Sequence, residues 1–285
     1  MSKLIRGIRK CVCRISPVVG SKIMYRKIMG KPLRLNPPST FNEKIEWLKL
    51  YKWPNDPLAI QCADKLRVRD YVSQKGCAQY LNELYAYWDS VEDIVWDMLP
   101  QQFVMKCNHG CGYNIICDCK DDLNIDTTKK RLNKWMHEDF SLVSGEMHYA
   151  PIKRKIICER YLGCNIEDYK FFCFDGVPKF FYISRNVNGD FHNMQADFFN
   201  LDGTKATFFR TDHQSLDNPP HIPKNLEEML SLSSKLSEDF PFARIDLFNV
   251  GERIFFSEIT LTPSAGQMPL SPEDADLELG KLIHL

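Results

Sequence analysis

The sequence predicts an α+β domain built on antiparallel hairpins, and three observations carry the prediction. Asp175-Gly176 separates the apolar runs Tyr169 to Phe174 and Pro178 to Ser184. Asp202-Gly203 likewise separates Asp197 to Leu201 from Thr204 to Phe209. An Asp-Gly pair between such runs signals a hairpin, because both positions accept the left-handed backbone that twisted strands require. A third strand pair, Ala243 to Phe248 and Arg253 to Thr260, flanks Gly251. Between these pairs the apolar spacing becomes helical, as in Leu226 to Leu236.

Taken in order, Pro37-Pro38-Ser39-Thr40 stops the chain and starts a helix, with Thr40 or Asn42 as N-cap and Phe41, Ile45, Leu48 and Tyr51 as its apolar stripe. Trp53-Pro54-Asn55-Asp56-Pro57 ends it. Leu58, Ile60, Leu66, Val68 and Val72 then predict a second helical stretch to Gly76. After Pro100, Phe103 to Met105 reads as a strand, Gly110 and Gly112 as a loop, and Ile115 to Cys117 as another strand. Residues 127–140 read as a helix with Leu132, Trp135 and Met136 on one side, and Lys155 to Cys158 as a buried strand. No internal repeat or low-complexity tract interrupts this order.

Of the 285 residues, 44% are hydrophobic and 26% charged, which excludes intrinsic disorder and allows one large or two small cores. Lys plus Arg and Asp plus Glu each number 37, yet the first 42 residues hold ten basic residues and no acidic one, leaving the remainder at −10. Eleven cysteines, an odd number behind no signal peptide, predict a reducing, cytoplasmic setting. Apolar runs fall far short of the roughly 20 residues that cross a bilayer. Residues 1–34 place Leu4, Ile5, Ile8, Val12 and Ile15 among Lys3, Arg6, Arg9, Lys10 and Arg14. Such a segment either lies on an anionic lipid surface, at the inner face of the membrane, or packs as a helix on its own domain. The first 39 residues are therefore set apart as a basic segment, with the main domain at 40–285.

Three constellations could carry chemistry. In Ala243-Arg244-Ile245-Asp246-Leu247, residues two apart share a face, so Arg244 and Asp246 point away from the core; in Phe256-Ser257-Glu258-Ile259-Thr260, Glu258 and Thr260 do the same. Asp246 and Glu258 converge only if the connection has an odd count or contains a bulge. Two carboxylates and a hydroxyl suit Mg²⁺, which takes hard oxygen ligands and bridges to phosphate. The alternative is a surface ladder of ion pairs. Second, Lys106 ends a strand before His109-Gly110-Cys111-Gly112-Tyr113-Asn114, a loop that could offer an ammonium and backbone N–H groups to a polyphosphate. It is neither a Walker loop nor a dinucleotide fingerprint, and it could equally be an ordinary connection. Third, Glu159-Arg160-Tyr161-Leu162 follows a buried strand and precedes Asp168 and Lys170, an arrangement able to present main chain and apolar walls to a purine; the alternative is an exposed acid beyond a core strand.

Other features stay in reserve. Cys107, Cys111, Cys117 and Cys119 lack the paired spacing of a zinc site. His137, His148, His192, His213 and His221 are scattered, and Arg185 ends a strand where it could meet a substrate anion. The aromatics Phe171, Phe172, Phe174, Phe180, Phe181 and Tyr182 read as two faces of a buried hairpin, so no stacking platform for nucleic acid is expected.

In the order lysine strand and Gly loop, acidic hinge, Arg-x-Asp and Glu-x-polar, the three pieces resemble the ATP-grasp superfamily of carboxylate–amine ligases. Ala63-Asp64-Lys65-Leu66-Arg67-Val68-Arg69 extends the likeness upstream. The segments Phe41 to Leu48, Asp168 to Gly176 and Glu258 to Gly266 are similar to the TupA-like branch, which is associated with teichuronopeptide and other bacterial surface-polysaccharide synthesis, including capsule and O-antigen. The resemblance implies an ATP-grasp fold of two α+β subdomains clasping ATP. It implies that Lys65 and Lys106 meet ATP phosphates under a mobile loop from His109 through Gly110 and Gly112 to Asn114, with Glu159, Arg160, Tyr161 and Leu162 as adenine hinge. Asp168 would take the ribose and Lys170 the phosphates; Asp246, Glu258 and Thr260 would hold Mg²⁺; Arg244, with Lys106, would act in catalysis by steadying an acyl phosphate. Thr260 departs from the Asn usual at that place, which leaves the metal count open. The implied activity joins a carboxylate, expected to be a uronic acid of a glycan, to an amine, expected to be an amino acid, with specificity in loops 186–197 and 211–223. Two rivals stand beside it: a non-catalytic ATP-binding scaffold, and a glycosyltransferase, whose chemistry needs an Asp-x-Asp at a strand end.

Overall fold

A computed structural model describes residues 3–164, 166–186, 194–218 and 222–285. Its strands are β1 (Leu84–Trp88), β2 (Phe103–Cys107), β3 (Asn114–Cys117), β4 (Ile156–Arg160), β5 (Glu167–Phe174), β6 (Val177–Asn186), β7 (Met194–Asn200), β8 (Phe209–Arg210), β9 (Phe242–Val250), β10 (Arg253–Thr260) and β11 (Leu270–Ser271). They form a four-stranded sheet ordered β1-β4-β2-β3, a five-stranded sheet ordered β10-β9-β5-β6-β7, and a ribbon of β8 with β11. Every pairing between these strands is antiparallel. His192, His221 and parts of the loops 186–197 and 211–223 lie outside the described residues.

The helices are α1 (Lys3–Ile15), α2 (Pro17–Met29), α3 (Phe41–Trp47), α4 (Pro57–Ala63), α5 (Val68–Gln74), α6 (Ile125–Met136), α7 (Phe140–Ser144), α8 (Leu226–Ser237) and α9 (Ala275–Gly280). Thr40 is the N-cap of α3 in a capping box with Glu43, whose carboxylate also accepts the Ser39 N–H at 2.9 Å. Asn42 is not the cap. Its buried amide donates to the Met268 carbonyl and to Asp276 Oδ1, both at 2.9 Å, and ties the start of α3 to the C-terminal segment. The single helical stretch expected over 58–76 is two helices. Asp64 accepts the N–H groups of Leu66 and Arg67 at 2.9 and 3.3 Å, and this local capping breaks the helix at Lys65.

Two cores result. Phe103, Met105, Ile115, Ile156 and Cys158 of the small sheet pack with Leu132 of α6. The larger core lies on both faces of the five-stranded sheet. Phe171, Cys173, Ile245 and Leu247 face α8, where the Cys173 thiol donates to the Ser233 carbonyl at 3.8 Å. On the other face, Phe41 of α3 packs at 5.1 Å centroid distance on Phe242 and 6.3 Å on Phe172 and Phe174. Apolar residues thus fill one end of that face, and its other end carries Asp168, Lys170, Arg244 and Asp246.

The second expected hairpin is corrected. The Asp202-Gly203 turn brings Lys205 opposite Phe199 in a single bridge, and residues 204–208 form no strand. Phe208 leaves the sheet plane to pack on Phe180 and Phe198 at 5.1 and 4.8 Å, and the chain then pairs as β8 with β11. Burial of Phe208 outweighs continuation of the ladder. The basic segment packs on the domain by one face: Arg6 and Lys10 reach Glu138 at 2.6 and 2.7 Å, Arg9 donates to the Ser144 carbonyl at 2.9 Å, and Cys13 and Tyr25 are buried.

A buried polar cluster ties the end of α3 to the segment after β10. Lys49, with Glu46 at 2.7 Å, is fully inaccessible and donates to the Ala265 carbonyl at 2.8 Å, while Gln267 donates to Glu46 at 2.8 Å. His148 sits beside this pair, and burial together with the Lys49 charge depresses its pKa to about 3. The unfolded chain therefore takes up a proton that the folded chain refuses. The His148 contribution to stability is full above the ordinary value of 6.5 and is lost as pH falls from there toward 3. Urea titrations of wild type and His148→Gln should diverge in that window by about a tenfold change in folding constant per pH unit, the variant lacking that part of the acid sensitivity.

Candidate functional site

The charged end of the five-stranded sheet is set by its register. β9 and β10 meet through Gly251 and Glu252, both with left-handed backbone (φ 58° and 65°), an even connection that would turn Glu258 away from Asp246. An extra residue at Ser257 corrects this: Phe256 opposes Leu247, then Glu258 opposes Asp246 and Thr260 opposes Arg244. Lys170 of β5 opposes Asp246 on its other side.

Arg244 grips Asp246 through Nε and Nη2 at 2.7 and 2.6 Å, and its Nη2 also reaches Thr260 Oγ1 at 3.0 Å and Glu258 at 3.4 Å. Thr260 donates to Glu258 at 3.0 Å. Lys170 bonds closely to Asp168 and lies 3.5 Å from Asp246. Burial pushes the Asp246 carboxyl up despite Arg244 and Lys170. Glu258, also penalised by desolvation, is held down to about 2 because Lys65 and Arg244 outweigh that penalty.

Lys65 enters from the α4–α5 connection and meets Glu258 at 3.3 Å, so it bridges to the five-stranded sheet. Its position depends on Asn108, a residue that no pattern in the sequence singles out. The wholly buried Asn108 amide donates to Asp64 at 2.8 Å and to the Lys153 carbonyl at 3.0 Å, its side-chain oxygen accepts the Lys155 N–H at 2.7 Å, and its backbone carbonyl accepts the Lys65 N–H at 3.2 Å. One side chain therefore joins the Lys65 turn, the end of β2 and the approach to β4. Arg69 ends the Asp-Lys segment, which assigns it no role. It donates to Glu159 at 3.2 Å and to the Asn82 carbonyl at 2.7 Å, while Lys106 donates to Glu159 at 2.7 Å. Glu159 is buried, not an exposed acid beyond a core strand.

The glycine loop adopts a different pose from the one expected at His109. Its imidazole is buried and its Nε2 donates to the Trp135 carbonyl at 3.1 Å, the tautomer being assigned from that acceptor; burial lowers its pKa. The ring therefore faces α6 and not the cations. Gly110 allows the tight pass, since a Cβ there would lie 2.7 Å from the Tyr113 ring and 2.9 Å from Phe140. Tyr113 stacks on Trp135 at 5.5 Å and donates to Glu138 at 2.8 Å. At the hinge, Arg160 is held through its backbone by Glu83 and the Asn82 side chain at 2.9 and 2.8 Å. Tyr161 borders two adjoining cavities of about 400 and 490 Å³, of which the second also has Leu162 in its wall.

A family model described as TupA-like ATP-grasp matches residues 43–284. The chain belongs to the TupA-like ATP-grasp family. A D-alanine–D-alanine ligase structure from Bacillus anthracis superposes with a TM-score of 0.50 at 17% identity, covering 87% of this chain and 73% of that one. A second structure of that ligase, complexed with ATP, gives 0.45 at 15% identity over 71% and 56%. An L-amino acid ligase from Bacillus licheniformis gives 0.44 at 11% over 73% and 42%. The chain thus spans between 42% and 73% of the length of these proteins. A search of curated protein sequences found no match. The architecture is an ATP-grasp fold, with the two sheets as its subdomains.

In this ATP-grasp protein the one Asp-x-Asp, Asp274-Ala275-Asp276, stands at the start of α9 and not at a strand end. Asp276 is buried and accepts from the Asn42 N–H at 3.0 Å and from Lys31 at 3.3 Å, a structural engagement. Deleting Ser257 should turn the bulge into a regular ladder in which Glu258 still opposes Asp246 and Thr260 still opposes Arg244. With those pairings kept, the deletion should change stability by less than about 2 kcal/mol relative to Ser257→Gly; urea denaturation of the two variants measures the difference, and a loss of about 3 kcal/mol or more would show that the charges had lost their partners.

Proposed function

We propose that this protein is an ATP-dependent carboxylate–amine ligase that joins an amino acid to a sugar acid of a bacterial surface polysaccharide. The observation that supports this most is the meeting of Lys65, Lys170 and Arg244 with Asp246 and Glu258 on one sheet face, in a chain of this family. Asp246, Glu258 and Thr260 offer only hard oxygen donors, which fits Mg²⁺; the ion, when bound, would neutralise phosphate charge. In this reading Lys65, Lys106 and Lys170 neutralise the ATP phosphates beneath the backbone of the loop through His109, Gly110 and Gly112. Glu159, Arg160, Tyr161 and Leu162 form the adenine hinge, and Asp168 takes the ribose.

A substrate carboxylate oxygen attacks the γ-phosphorus of ATP, the bond to the β-phosphate oxygen breaks, and ADP leaves. Arg244 holds the acyl phosphate, the amine nitrogen attacks its carbonyl carbon, and phosphate departs as the amine loses a proton. Positioning and charge neutralisation supply the acceleration, since no protein group enters a covalent bond. Purified protein with MgATP, a uronate-containing glycan and mixed amino acids should release phosphate, and Lys106→Ala should reduce the rate at least tenfold. Nucleotide binding without release above the Lys106→Ala level would favour the scaffold; preference for a sugar nucleotide would favour the transferase.

The basic segment gives this ligase a place to work. While Arg6, Arg9 and Lys10 face the domain, Ile8, Ile15, Val19, Ile23 and Ile28 are exposed among the exposed Arg14, Lys22, Arg26 and Lys27. No helix among the described residues is long and apolar enough to cross a membrane. An anionic bilayer surface complements this face in both charge and polarity. Sedimentation should show binding to phosphatidylglycerol vesicles and not to phosphatidylcholine vesicles. Replacing Lys22, Arg26 and Lys27 by Gln should weaken it about a hundredfold, at roughly 1 kcal/mol per charge. Equal binding to both vesicles would overturn the assignment.

A further inference from the structure

The charged row across the five-stranded sheet does not stop at Lys170. Its registers run Glu258, Asp246, Lys170, Tyr182 and Phe198, all on one face. Tyr182 is 4% exposed, and its hydroxyl has no hydrogen-bond partner among the described residues. A buried hydroxyl without a partner is costly, so a native site that keeps one has a use for it.

The surroundings define that use. Arg210 lies over the Tyr182 ring, with its guanidinium carbon 5.9 Å from the centroid. The β8–β11 ribbon places it there, opposite Leu270, and its side chain is only 11% exposed. Asp212 holds one edge of the guanidinium, at 2.9 Å from Nε and 2.7 Å from Nη2, which fixes its plane. Arg210, Lys170 and Arg244 act on the Tyr182 hydroxyl as positive charges, and Asp212 as a negative one. A hydroxyl donor beside a fixed guanidinium and two further cations selects an acceptor that carries negative charge.

We infer that Tyr182 and Arg210 form an anion subsite that receives the carboxylate of the acidic substrate, next to the centre where that carboxylate is phosphorylated. This rests on the ligase reading and adds to it the recognition of the acid. Tyr182 donates its hydroxyl proton to one carboxylate oxygen and Arg210 donates to the carboxylate from above the ring. A neutral sugar of the same size gains neither bond.

Glucuronate and glucose serve as probes in calorimetric titrations, with and without MgADP. Wild type should bind glucuronate and not glucose, and Tyr182→Phe and Arg210→Ala should each lose at least tenfold in glucuronate affinity while binding MgADP as wild type does. Tyr182→Phe should also melt at or above the wild-type temperature, because it removes only the unpartnered hydroxyl. Equal glucuronate affinity in wild type and both variants, glucose bound as tightly as glucuronate, or a wild type that binds MgADP but no glucuronate would each overturn the subsite. Glucuronate binding that depends on Arg210 in a protein that does not bind MgADP would sink the ligase reading and leave the subsite standing.

Discussion

One extra residue in one strand decides which way the acids of this protein point. Side chains alternate across a strand, so a register shift of one position exchanges its two faces. Were Ser257 paired in a regular ladder rather than bulged, it would oppose Asp246, Glu258 would oppose Ile245 among core residues and Thr260 would lose Arg244. As a bulge it lets β10 keep Ile254 and Phe256 in the core before it and Ile259 after it. The bulge serves packing and charge placement together, and Lys65 from the α4–α5 turn meets Glu258 because of it, whereas Lys170 and Arg244 also have Asp246.

The cluster so formed is closed on itself. Lys106 is held by Glu159, Lys65 by Glu258, Lys170 by Asp168 and Arg244 by Asp246. Ion pairs of this kind add little net stability, because desolvation offsets their attraction, yet leaving one member unpaired is expensive. The balance is therefore best suited to exchange: an anionic ligand that takes a lysine frees a carboxylate, and a cation that takes the carboxylate restores neutrality. The overall charge says nothing about this, since the body beyond residue 42 sums to −10 while its site gathers lysines and an arginine.

The parts of the site that were legible in the sequence are those governed by short-range periodicity. Arg244 with Asp246, Glu258 with Thr260, and Lys106 at a strand end follow from alternation along single strands, and even the need for a bulge could be stated in advance. The roles of Asn108 and Arg69 were not legible. They come from contacts with Asp64, Lys153, Asn82 and Glu159, partners up to 90 residues away whose proximity only the tertiary fold creates. Where local signals misled, a longer-range burial prevailed. Phe208 left a promising hairpin to cover Phe180 and Phe198, and the His109 ring turned inward to the Trp135 carbonyl although its flanking glycines suggested an open loop.

Glu138 links the two features that seemed most separate in the sequence, the basic segment and the glycine loop. Its carboxylate accepts the Tyr113 hydroxyl from the loop and both Arg6 and Lys10 from α1. Burial opposes its charge, but Lys10, Tyr113 and Arg6 more than offset that and keep it ionised. With Arg6, Lys10 and Tyr113 on one carboxylate, drawing α1 away from the domain would leave a largely buried Glu138 with Tyr113 as its remaining donor among these three. A loop that moves Tyr113 likewise changes what α1 rests on. Any energetic coupling through this residue is reciprocal by thermodynamic necessity. The segment that the charge arithmetic set apart is thus linked through one acid to the loop proposed to cover the phosphates.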